Sequence, residues 1–412
     1  MDARQEQGAE IASIARIVKK GGVWIVPSRT RAGRKYTVCP DKTEPHCSCP
    51  DHETNGGWCK HIWAVEFYRT HRKNVPAREE RQPTPKPTYS QNWSAYNAAQ
   101  TQEKDMFLSL LRDLCDGITD PREQVTGRPR LPIGDAVFAA CFKVFSTVSG
   151  RRFMCDLRAA HEKRFISRVP HFNTISNTLE DPEITEVLRS LITESSLPLK
   201  SVECDFAVDS SGFTSSRFVR WYDHKYGAVR QQHTWVKVHL MCGVKTNIVT
   251  AVEIRDKDAS DTKLMPDLVD ATAKNFQLRE VSGDKGYGSL SNYDAVSRHS
   301  ATPYIAFKSI HTGKGGGLWK KMFHLFQFNR DEFLAHYHKR SNVETTFSMI
   351  KAKFRDHVRS KTDAAMINEV LCKIICHNLC CLIQEANELG IDVASLTPSS
   401  TLENNRAANG MH

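Results

Sequence analysis

The strongest constraint on the fold is a change in the period of the apolar residues near residue 200. From Met106 to about Ser195 they recur at helical spacing, as in DAVFAACFKVFSTV. After Lys200 the segment VECDFAVD alternates apolar and acidic residues, which predicts a strand with one buried face. Strand-like runs follow at RFVRWY, TWVKVHLMCGV, IVTAVEI, LREVSG and PYIAF, with a helical stretch at about 261–276 after the third of them. We therefore expect a helical domain followed by a mixed α/β sheet.

A polar, proline-bearing segment divides the chain. Residues 72–104 contain almost no aliphatic side chains, so they cannot build a core and are predicted to be a flexible linker. The chain has 412 residues, more than the roughly 250–300 at which single cores stop growing. We expect a small module at 1–71, a helical domain at 105–198, a sheet domain at 199–390 and a disordered tail at 391–412.

Charge and composition narrow the class of protein. Lys and Arg total 57 against 47 Asp and Glu, and a formal charge of +10 suits a polyanionic partner. No apolar run approaches the roughly 20 residues of a membrane helix, and Met1–Lys20 lacks the features of a secretory signal. The thirteen cysteines are then interpreted as reduced thiols or metal ligands. We expect a cytoplasmic protein with no membrane contact.

The segment CSCPDHETNGGWCKHIWAV carries a metal-ligand pattern. Three thiolates and an imidazole can complete the tetrahedral shell of Zn²⁺. The pattern C-x-C, nine residues, C-x-H resembles a SWIM zinc finger, with a strand-like run RKYTV ahead and a helix-like run KHIWAVEFY behind. The resemblance implies a module that binds DNA or protein. The candidate ligands are Cys47, Cys49, Cys59 and His61, with Cys39, His46 and His52 as nearby alternatives.

A second row of cysteines repeats every four residues at Cys372, Cys376 and Cys380. A second metal site is one interpretation. The residues between them include Ile374, Ile375 and other aliphatic residues, and small buried cysteines commonly fill cores, so packing is favoured.

Polar residues share one face of the predicted helix at about 333–356, which a second helix at about 363–388 follows. At about 100° per residue they fall within an arc of about 60°, beside an apolar stripe that would anchor the helix. The apolar stripe is Val343, Phe347, Ile350 and Phe354. The polar residues are Tyr337, Arg340, Glu344 and Lys351.

The spacing of these four polar residues resembles the Y-R-E-K signature of bacterial insertion-sequence DDE transposases. Two further motifs agree with that family: VDSSGF, where Asp209 is predicted to end the first strand, and SGDKGYGS, where Asp284 follows the fourth. The resemblance covers about residues 200–388, and more weakly the helical stretch before it. It implies a ribonuclease H-like catalytic domain.

The resemblance also implies roles for these residues. Asp209, Asp284 and Glu344 would hold Mg²⁺ or Mn²⁺, because phosphodiester cleavage and joining use two metal ions about 3.5 to 4 Å apart. Asp205 lies on the predicted face of Asp209 and is interpreted as a neighbour of the site. The residues implied to contact DNA are Tyr337 and Arg340 near the cut and Lys351 at the transposon end. Arginine suits phosphate by its fork and lysine as a point charge.

Three other features are candidates for DNA contact. TGRPR, with Arg128 and Arg130, resembles peptides that enter AT-rich minor grooves, although it also suits a turn before the next helix. PHFNTISNTL could form a helix capped by Asn173 and belong to a helix-turn-helix reader. The basic segment Lys308–Lys321 is predicted to be a loop. The resemblance implies that an insertion at this place grips the transposon end and that Trp319 stacks on a flipped base. The alternative is a solvated basic loop with one buried tryptophan.

The resulting hypothesis is a DNA transposase that binds terminal inverted repeats and catalyses metal-dependent strand cleavage and strand transfer. Its expected partners are the double-stranded DNA of transposon ends and target, bound by a homodimer in a prokaryotic cytoplasm, at the nucleoid. The alternatives are a domesticated, non-catalytic DNA-binding regulator and a ribonuclease H-like nuclease that only hydrolyses.

Overall fold

The computed structural model describes most of the chain. The described residues are 3–15, 17–28, 34–41, 44–74, 92–119, 130–215, 235–255, 261–308 and 310–391. The chain divides into two compact units, Met1–Ser90 and Gln91–His412. The division falls inside the predicted linker, and most of the predicted tail lies outside the described residues.

The first unit contains a four-stranded antiparallel sheet in the order β1-β2-β3-β4. Strand β2 buries alternate side chains, Trp24 and Val26, which pack with residues of the last helix. The predicted strand at RKYTV and the predicted helix at KHIWAVEFY are confirmed as β3 and α3. The elements are α1 (Ala3–Ile14), β1 (Val18–Lys20), β2 (Val23–Pro27), β3 (Lys35–Cys39), β4 (His46–Cys47), α2 (Pro50–Asn55) and α3 (Lys60–Asn74).

The second unit begins with helices. The first of them, α4, starts at Trp93, so the predicted linker is too long: residues 93–104 are helical. The side chain of Asn92 caps the helix by accepting a hydrogen bond from Ala95 N at 3.2 Å, and Ala95 and Ala99 are buried. The polar residues of this stretch form the exposed face of the helix. The helices are α4 (Trp93–Asp116), α5 (Ile133–Ser146), α6 (Gly150–Glu162), α7 (Phe172–Glu180) and α8 (Ile184–Ser196).

A five-stranded mixed sheet follows, in the order β7-β6-β5-β8-β9. Strands β5, β6 and β7 are antiparallel, whereas β8 and β9 run parallel to β5. The mixed sheet predicted for the α/β domain is confirmed, and the predicted strand at RFVRWY lies outside the described residues. The strands and the helices between them are β5 (Asp205–Thr214), β6 (Trp235–Gly243), β7 (Val249–Arg255), α9 (Met265–Ala273), β8 (Glu280–Gly283), α10 (Leu290–Arg298) and β9 (Thr302–Ile305).

The central strand β5 is buried on both faces, which corrects the prediction of one buried face. Phe206 and Val208 pack into a core that includes residues of α9 and α10. Ala207 and Phe213 point the other way, into a core shared with the helices of residues 93–196. Of the acidic residues in VECDFAVD, Asp205 is paired with Arg279 and Lys339, and Glu203, which precedes the strand, accepts a hydrogen bond from Thr246 Oγ1 at 2.8 Å.

The last helices are α11 (Gly317–Phe328), α12 (Arg330–Tyr337), α13 (Ser341–Phe354) and α14 (Asp363–Leu389). Among the described residues, α14 is long and apolar enough to cross a membrane, but 89% of its apolar window is buried in the protein. It packs against α4, α5, α7 and α8 and against α13. The regions predicted as separate domains, 105–198 and 199–390, therefore share one core.

Two local predictions change in the structure. The helix in PHFNTISNTL begins at Phe172, and its cap is His171 instead of Asn173, because His171 Nδ1 accepts from Asn173 N at 3.2 Å. In α14, Cys372 and Cys376 are buried in the core, and Cys376 Sγ donates to Cys141 O at 3.3 Å. These contacts favour the packing interpretation of the second cysteine row.

Candidate active site

Two of the three candidate carboxylates lie side by side because β5 and β8 are parallel neighbours. Val208 is paired with Gly283, so the next residue of each chain segment, Asp209 and Asp284, comes to the same place on the sheet. Asp284 directly follows β8, as predicted. Asp209 lies within β5, which continues to Thr214, so the prediction that Asp209 ends its strand is wrong.

Glu344 reaches the same place from the first turn of α13. Arg340 joins the two sides: its Nη2 lies 2.8 Å from Glu344 Oε1, and its Nη1 lies 3.7 Å from Asp209 Oδ2. The Arg340 guanidinium also lies 5.7 Å from the centre of the Tyr337 ring. The structure therefore brings four predicted site residues into one electrostatic cluster with Asp209: Asp284, Tyr337, Arg340 and Glu344.

Ionisation of Asp209 is disfavoured by its surroundings. Burial is the largest cause of its raised pKa, and the charges of Asp284 and Glu344 raise it further. The hydrogen bond from Ser210 N to Asp209 Oδ1, at 2.7 Å, and the charge of Arg340 act in the opposite direction. The pKa of Asp209 thus reports three acidic groups that interact in space although they are far apart in the sequence.

Tyr337 and Arg340 also respond to this cluster. Burial raises the pKa of Tyr337, with Asp284 and Asp209 adding to the effect and Arg340 opposing it. Burial acts against the charged form of Arg340, yet Tyr337, Glu344 and Asp284 together raise its pKa. Arg340 is therefore held as a cation between carboxylates.

The helix that was predicted to be continuous over 333–356 is broken. Helix α12 ends at Tyr337, a 3₁₀ turn covers His338–Arg340, and α13 begins at Ser341. Lys339 in the turn donates to Asp205 at 2.8 Å and to Glu280 at 2.7 Å, bonds that hold the turn against the start of β5 and β8. The predicted apolar stripe of α13 is confirmed, since its four residues are all buried.

An open cleft of about 770 Å³ runs from the carboxylates along α13. Lys351 lines it, and its Nζ donates to Ser211 Oγ on β5 at 2.6 Å and lies 5.3 Å from the centre of the Phe213 ring. Burial lowers the pKa of Lys351. Among the other lining residues are Asp209, Glu344, Arg355 and His357.

Asp205 is occupied by other partners, in agreement with its interpretation as a neighbour. Arg279 donates to both of its oxygens, from Nε at 2.8 Å and from Nη2 at 2.7 Å, and Lys339 donates to Oδ2. Although burial acts against its ionisation, Arg279 and Lys339 hold the pKa of Asp205 below its ordinary value.

The remaining predicted DNA contacts fall in different places. Arg128 lies outside the described residues, and Arg130 is exposed just ahead of α5. The segment predicted as a basic loop is corrected, because it contains the start of α11, which carries Trp319. Trp319 is 7% exposed, donates to Thr312 O at 2.7 Å and lies edge-on to Tyr293 at 4.9 Å between ring centroids. These contacts favour the buried interpretation of Trp319, since its faces are packed.

Sequence reasoning missed the basic residues that follow α13. Arg355 and His357 line the cleft, and residues 356–358 pair with the end of β5 through the bonds of Thr214 N to Asp356 O and Val358 N to Thr214 O. The signal that could have revealed them is the charged run FRDHVRSK directly after the helix.

The predicted zinc ligands form a closed cluster in the first unit. Cys47, Cys49, Cys59 and His61 are all buried, and their ligand atoms lie within 4.8 Å of one another. Among the described residues, neither ring nitrogen of His61 has a partner with hydrogen-bond geometry, although the ring lies close enough to Cys59 to lower the pKa of that thiol. Interaction with Cys47 is the largest cause that lowers the pKa of Cys59, to about 3, and interaction with Cys59 raises that of Cys47. The three thiols therefore behave as one set, and Cys39, His46 and His52 lie outside it.

Comparisons with known proteins find a family match within each unit. Residues 200–379 match the family described as transposase DDE domain, and residues 23–69 match the SWIM zinc finger family. No curated protein matches the chain. A solved structure entitled "Cryo-EM structure of piggyBac transposase synaptic complex with hairpin DNA" is similar over 76% of this chain and 84% of that one. Its identity is 10% and its TM-score is 0.35, values too low to support an argument about fold or function.

Proposed function

We propose that this chain, which carries a transposase DDE domain at residues 200–379, is a DNA transposase that cuts and joins strands by metal-dependent phosphoryl transfer. The observation on which the proposal depends is the electrostatic cluster of Asp209, Asp284 and Glu344, of which Asp209 and Glu344 line an open cleft. These are the acidic residues at the positions where the family resemblance implies catalytic ligands.

The three carboxylates have the chemistry that Mg²⁺ or Mn²⁺ requires, although among the described residues only the cluster of Cys47, Cys49, Cys59 and His61 has its ligand atoms within 4.8 Å of one another. Carboxylate oxygens are the ligands that hard divalent cations prefer, and a partly open site leaves room for phosphate oxygens. Asp284 and Glu344 both disfavour the charged form of Asp209, and a divalent cation would offset that repulsion. When bound, a pair of such ions would activate the attacking oxygen and stabilise the leaving oxygen of a phosphodiester.

The neighbouring residues have separate tasks in this proposal. Arg340 positions Asp209 and Glu344 and offers a guanidinium fork to a phosphate at the cut. Tyr337 packs under that guanidinium and limits its movement. Lys351, fixed by Ser211 on β5, presents a cation to the DNA backbone farther along the cleft.

The first unit is proposed to bind Zn²⁺ through Cys47, Cys49, Cys59 and His61. Three sulfur atoms and one imidazole nitrogen match a structural zinc shell. The unpartnered nitrogens of buried His61 support this assignment, because a buried polar atom without a partner costs about 1 to 3 kcal/mol. Zinc would remove that cost for the one nitrogen to which it binds.

The proposed substrate is the double-stranded DNA of transposon ends and target. A homodimer follows from the reaction, which must bring two ends together. The non-catalytic regulator and the hydrolytic nuclease differ from this proposal in their products: the regulator cuts nothing, and the nuclease leaves no joined DNA.

The test is an excision and joining assay with the full chain, Mg²⁺, and a donor plasmid that carries the DNA flanking the gene. Asp209→Asn and Glu344→Gln should each abolish cleavage while DNA binding persists. Asp294→Asn is the matched control, since Asp294 is an exposed carboxylate on α10 outside the cleft. Cleavage by Asp209→Asn at the wild-type rate would contradict the catalytic proposal, and cut products that never join to target would favour the nuclease.

A further inference from the structure

A second cavity, of about 550 Å³, lies beside the catalytic cleft. Its walls come from the end of α5, the start of α6, α7, the segment after α13 and the start of α14. Arg355 and His357 line both this cavity and the cleft that holds Asp209. The two depressions therefore adjoin each other at Arg355 and His357.

Positive charge dominates this basic cavity. Five Lys and Arg residues face it against two acids, which leaves an excess of three positive charges with histidine neutral. The two acids are Glu180 and Glu369. The five cations are Lys143, Arg355, Arg359, Lys361 and Lys373.

The only buried acid among the lining residues is already used by the protein. Glu369 is 7% exposed and accepts bonds from Arg359 N at 2.9 Å, Ser360 N at 2.9 Å and Ser360 Oγ at 2.7 Å. Lys373, 1% exposed, donates to Arg355 O at 3.1 Å and His357 O at 2.7 Å. Glu369 and Lys373 thus shape the segment of residues 355–360 mainly through its backbone, while Arg359 Nη1 donates to Val148 O at 2.8 Å.

Three of the cations have no acidic partner among the described residues. Within the described part of the chain, no carboxylate pairs with the side chains of Lys143, Arg355 or Lys361. Burial lowers the pKa of Lys143 to about 8, and the charges of Arg359 and Arg355 add to this although Glu369 opposes it. The cations therefore repel one another across the cavity, which is the electrostatic condition that an anion would relieve.

The backbone around the cavity is strained at two positions. Arg355 has φ 75° and ψ 148°, a conformation that side chains other than glycine rarely adopt, and Thr147 has φ 55°. Such strain persists only where the surrounding structure enforces it, and here the bonds of Lys373 and of β5 to residues 355–358 do so. The strain holds Arg355 at the wall between the two depressions.

We propose that the basic cavity binds nucleotide phosphates of the DNA strand that continues out of the catalytic cleft. The cations Lys143, Arg355 and Lys361 would contact the phosphates. The apolar wall formed by Phe172, Ile175 and Leu179 would take the sugar and base of one nucleotide. The inference rests on the proposed function, because it assumes that the cleft holds DNA. A free nucleotide carries the same phosphate, sugar and base as one nucleotide of DNA and is therefore the alternative ligand of this cavity.

The test measures DNA affinity of the full chain by fluorescence anisotropy across a potassium chloride series, without added Mg²⁺. The probe is a fluorescein-labelled duplex of random sequence. Each lysine that neutralises a phosphate contributes about 0.9 to the slope of log affinity against log salt for duplex DNA. Lys143→Gln and Lys361→Gln should each lower the slope by about that amount, and Lys361→Arg should keep it. Lys200→Gln, at an exposed lysine outside both depressions, is the control.

The outcomes separate this inference from the proposed function. An unchanged slope in Lys361→Gln, whose side chain is exposed and not needed for folding, overturns the assignment to DNA even if Asp209→Asn abolishes cleavage. A lowered slope supports the cavity inference even if cleavage proves indifferent to Asp209. Calorimetric titration with deoxyadenosine monophosphate tests the other source: binding that Lys361→Gln abolishes, with no change in the DNA slope, would show a free-nucleotide site instead.

Discussion

Replacement of Asp205 distinguishes a structural carboxylate from the candidate catalytic one four residues later. In Asp205→Asn the charge is lost, but a side chain of the same size remains. Asp205 accepts three charged hydrogen bonds, two from Arg279 and one from Lys339, and its side chain is 12% exposed. We expect the variant to be less stable than the wild type but to cleave DNA.

The magnitude follows from the exposure of the partners. Hydrogen bonds to charged groups contribute about 1.5 to 3 kcal/mol each. The Arg279 side chain is 62% exposed. Solvent screening therefore reduces the stabilisation from its two hydrogen bonds to the small free energy of a surface ion pair. Lys339 is 28% exposed and keeps its bond to Glu280. A loss of about 2 kcal/mol remains, which corresponds to a fall in Tm of roughly 3 °C for a unit of more than 300 residues.

The effect should depend on pH. Because the folded-state pKa of Asp205 is lowered, its contribution is complete above the ordinary carboxyl pKa and is lost as the pH falls through the folded-state pKa. The difference in stability between wild type and Asp205→Asn should therefore be largest at neutral pH and vanish in acid. Urea unfolding followed by circular dichroism measures it, with Asp294→Asn as the control.

Cleavage is the second readout of the same variant. Asp205→Asn should cut at a rate close to that of the wild type at a temperature well below its unfolding transition. If the folded variant loses cleavage as completely as Asp209→Asn, Asp205 belongs to the metal site and the assignment of the carboxylates is wrong. If its stability is unchanged at neutral pH, the bonds to Arg279 and Lys339 do not stabilise the fold as argued.

Two further substitutions test the zinc cluster and a buried acid. Cys59→Ser should lose bound zinc, as measured by mass spectrometry, and its first unit should unfold while the second unit keeps its unfolding transition. The reason is that structural zinc contributes on the order of 10 kcal/mol to folding. Cys39→Ser is the control and should retain zinc; the reverse pattern would identify another ligand set. Burial, followed by the charges of Glu388 and Glu203, raises the pKa of Glu385 from 4.5 to about 7, so the folded state loses stability as the pH rises through that window. In urea unfolding, Glu385→Gln should be more stable than the wild type by on the order of 3 kcal/mol at about pH 8 and equally stable at about pH 4. A difference that does not change with pH would refute the ionisation argument.

Much of the sheet and two positions of the candidate site could be predicted from the sequence. The strand pattern ahead of Asp284 predicted where that carboxylate lies, and parallel pairing of β5 with β8 then brings Asp209 beside it. The spacing of Arg340 and Glu344 predicted their contact, because residues four apart share a helix face even though a 3₁₀ turn precedes α13. Local spacing is preserved across such a break, so the prediction did not need the helix to be continuous.

Other features depend on contacts between distant segments and could not be predicted. Burial of both faces of β5 requires helices on each side of the sheet, and α14 lies more than a hundred residues from that strand in the sequence. Trp319 looked available in a glycine-rich basic segment, yet Tyr293 and Phe307 cover its ring. The break at residue 338 depends on the bonds of Lys339 to Asp205 and Glu280, which no local pattern reveals.

The same long-range contacts explain how acidic and basic surfaces can adjoin without neutralising each other. Residues 356–358 are bonded to Thr214, at the end of the strand that carries Asp209, and the buried pair of Glu369 and Lys373 fixes the segment from its other side. Arg355 is thereby held in a strained conformation with no carboxylate partner among the described residues. A flexible segment would let its cations reach Asp209 and Glu344 and cancel their charge. Because the segment is anchored at both ends, its cations stay away from Asp209 and Glu344. The carboxylates can then bind a metal ion while the neighbouring cations bind phosphates.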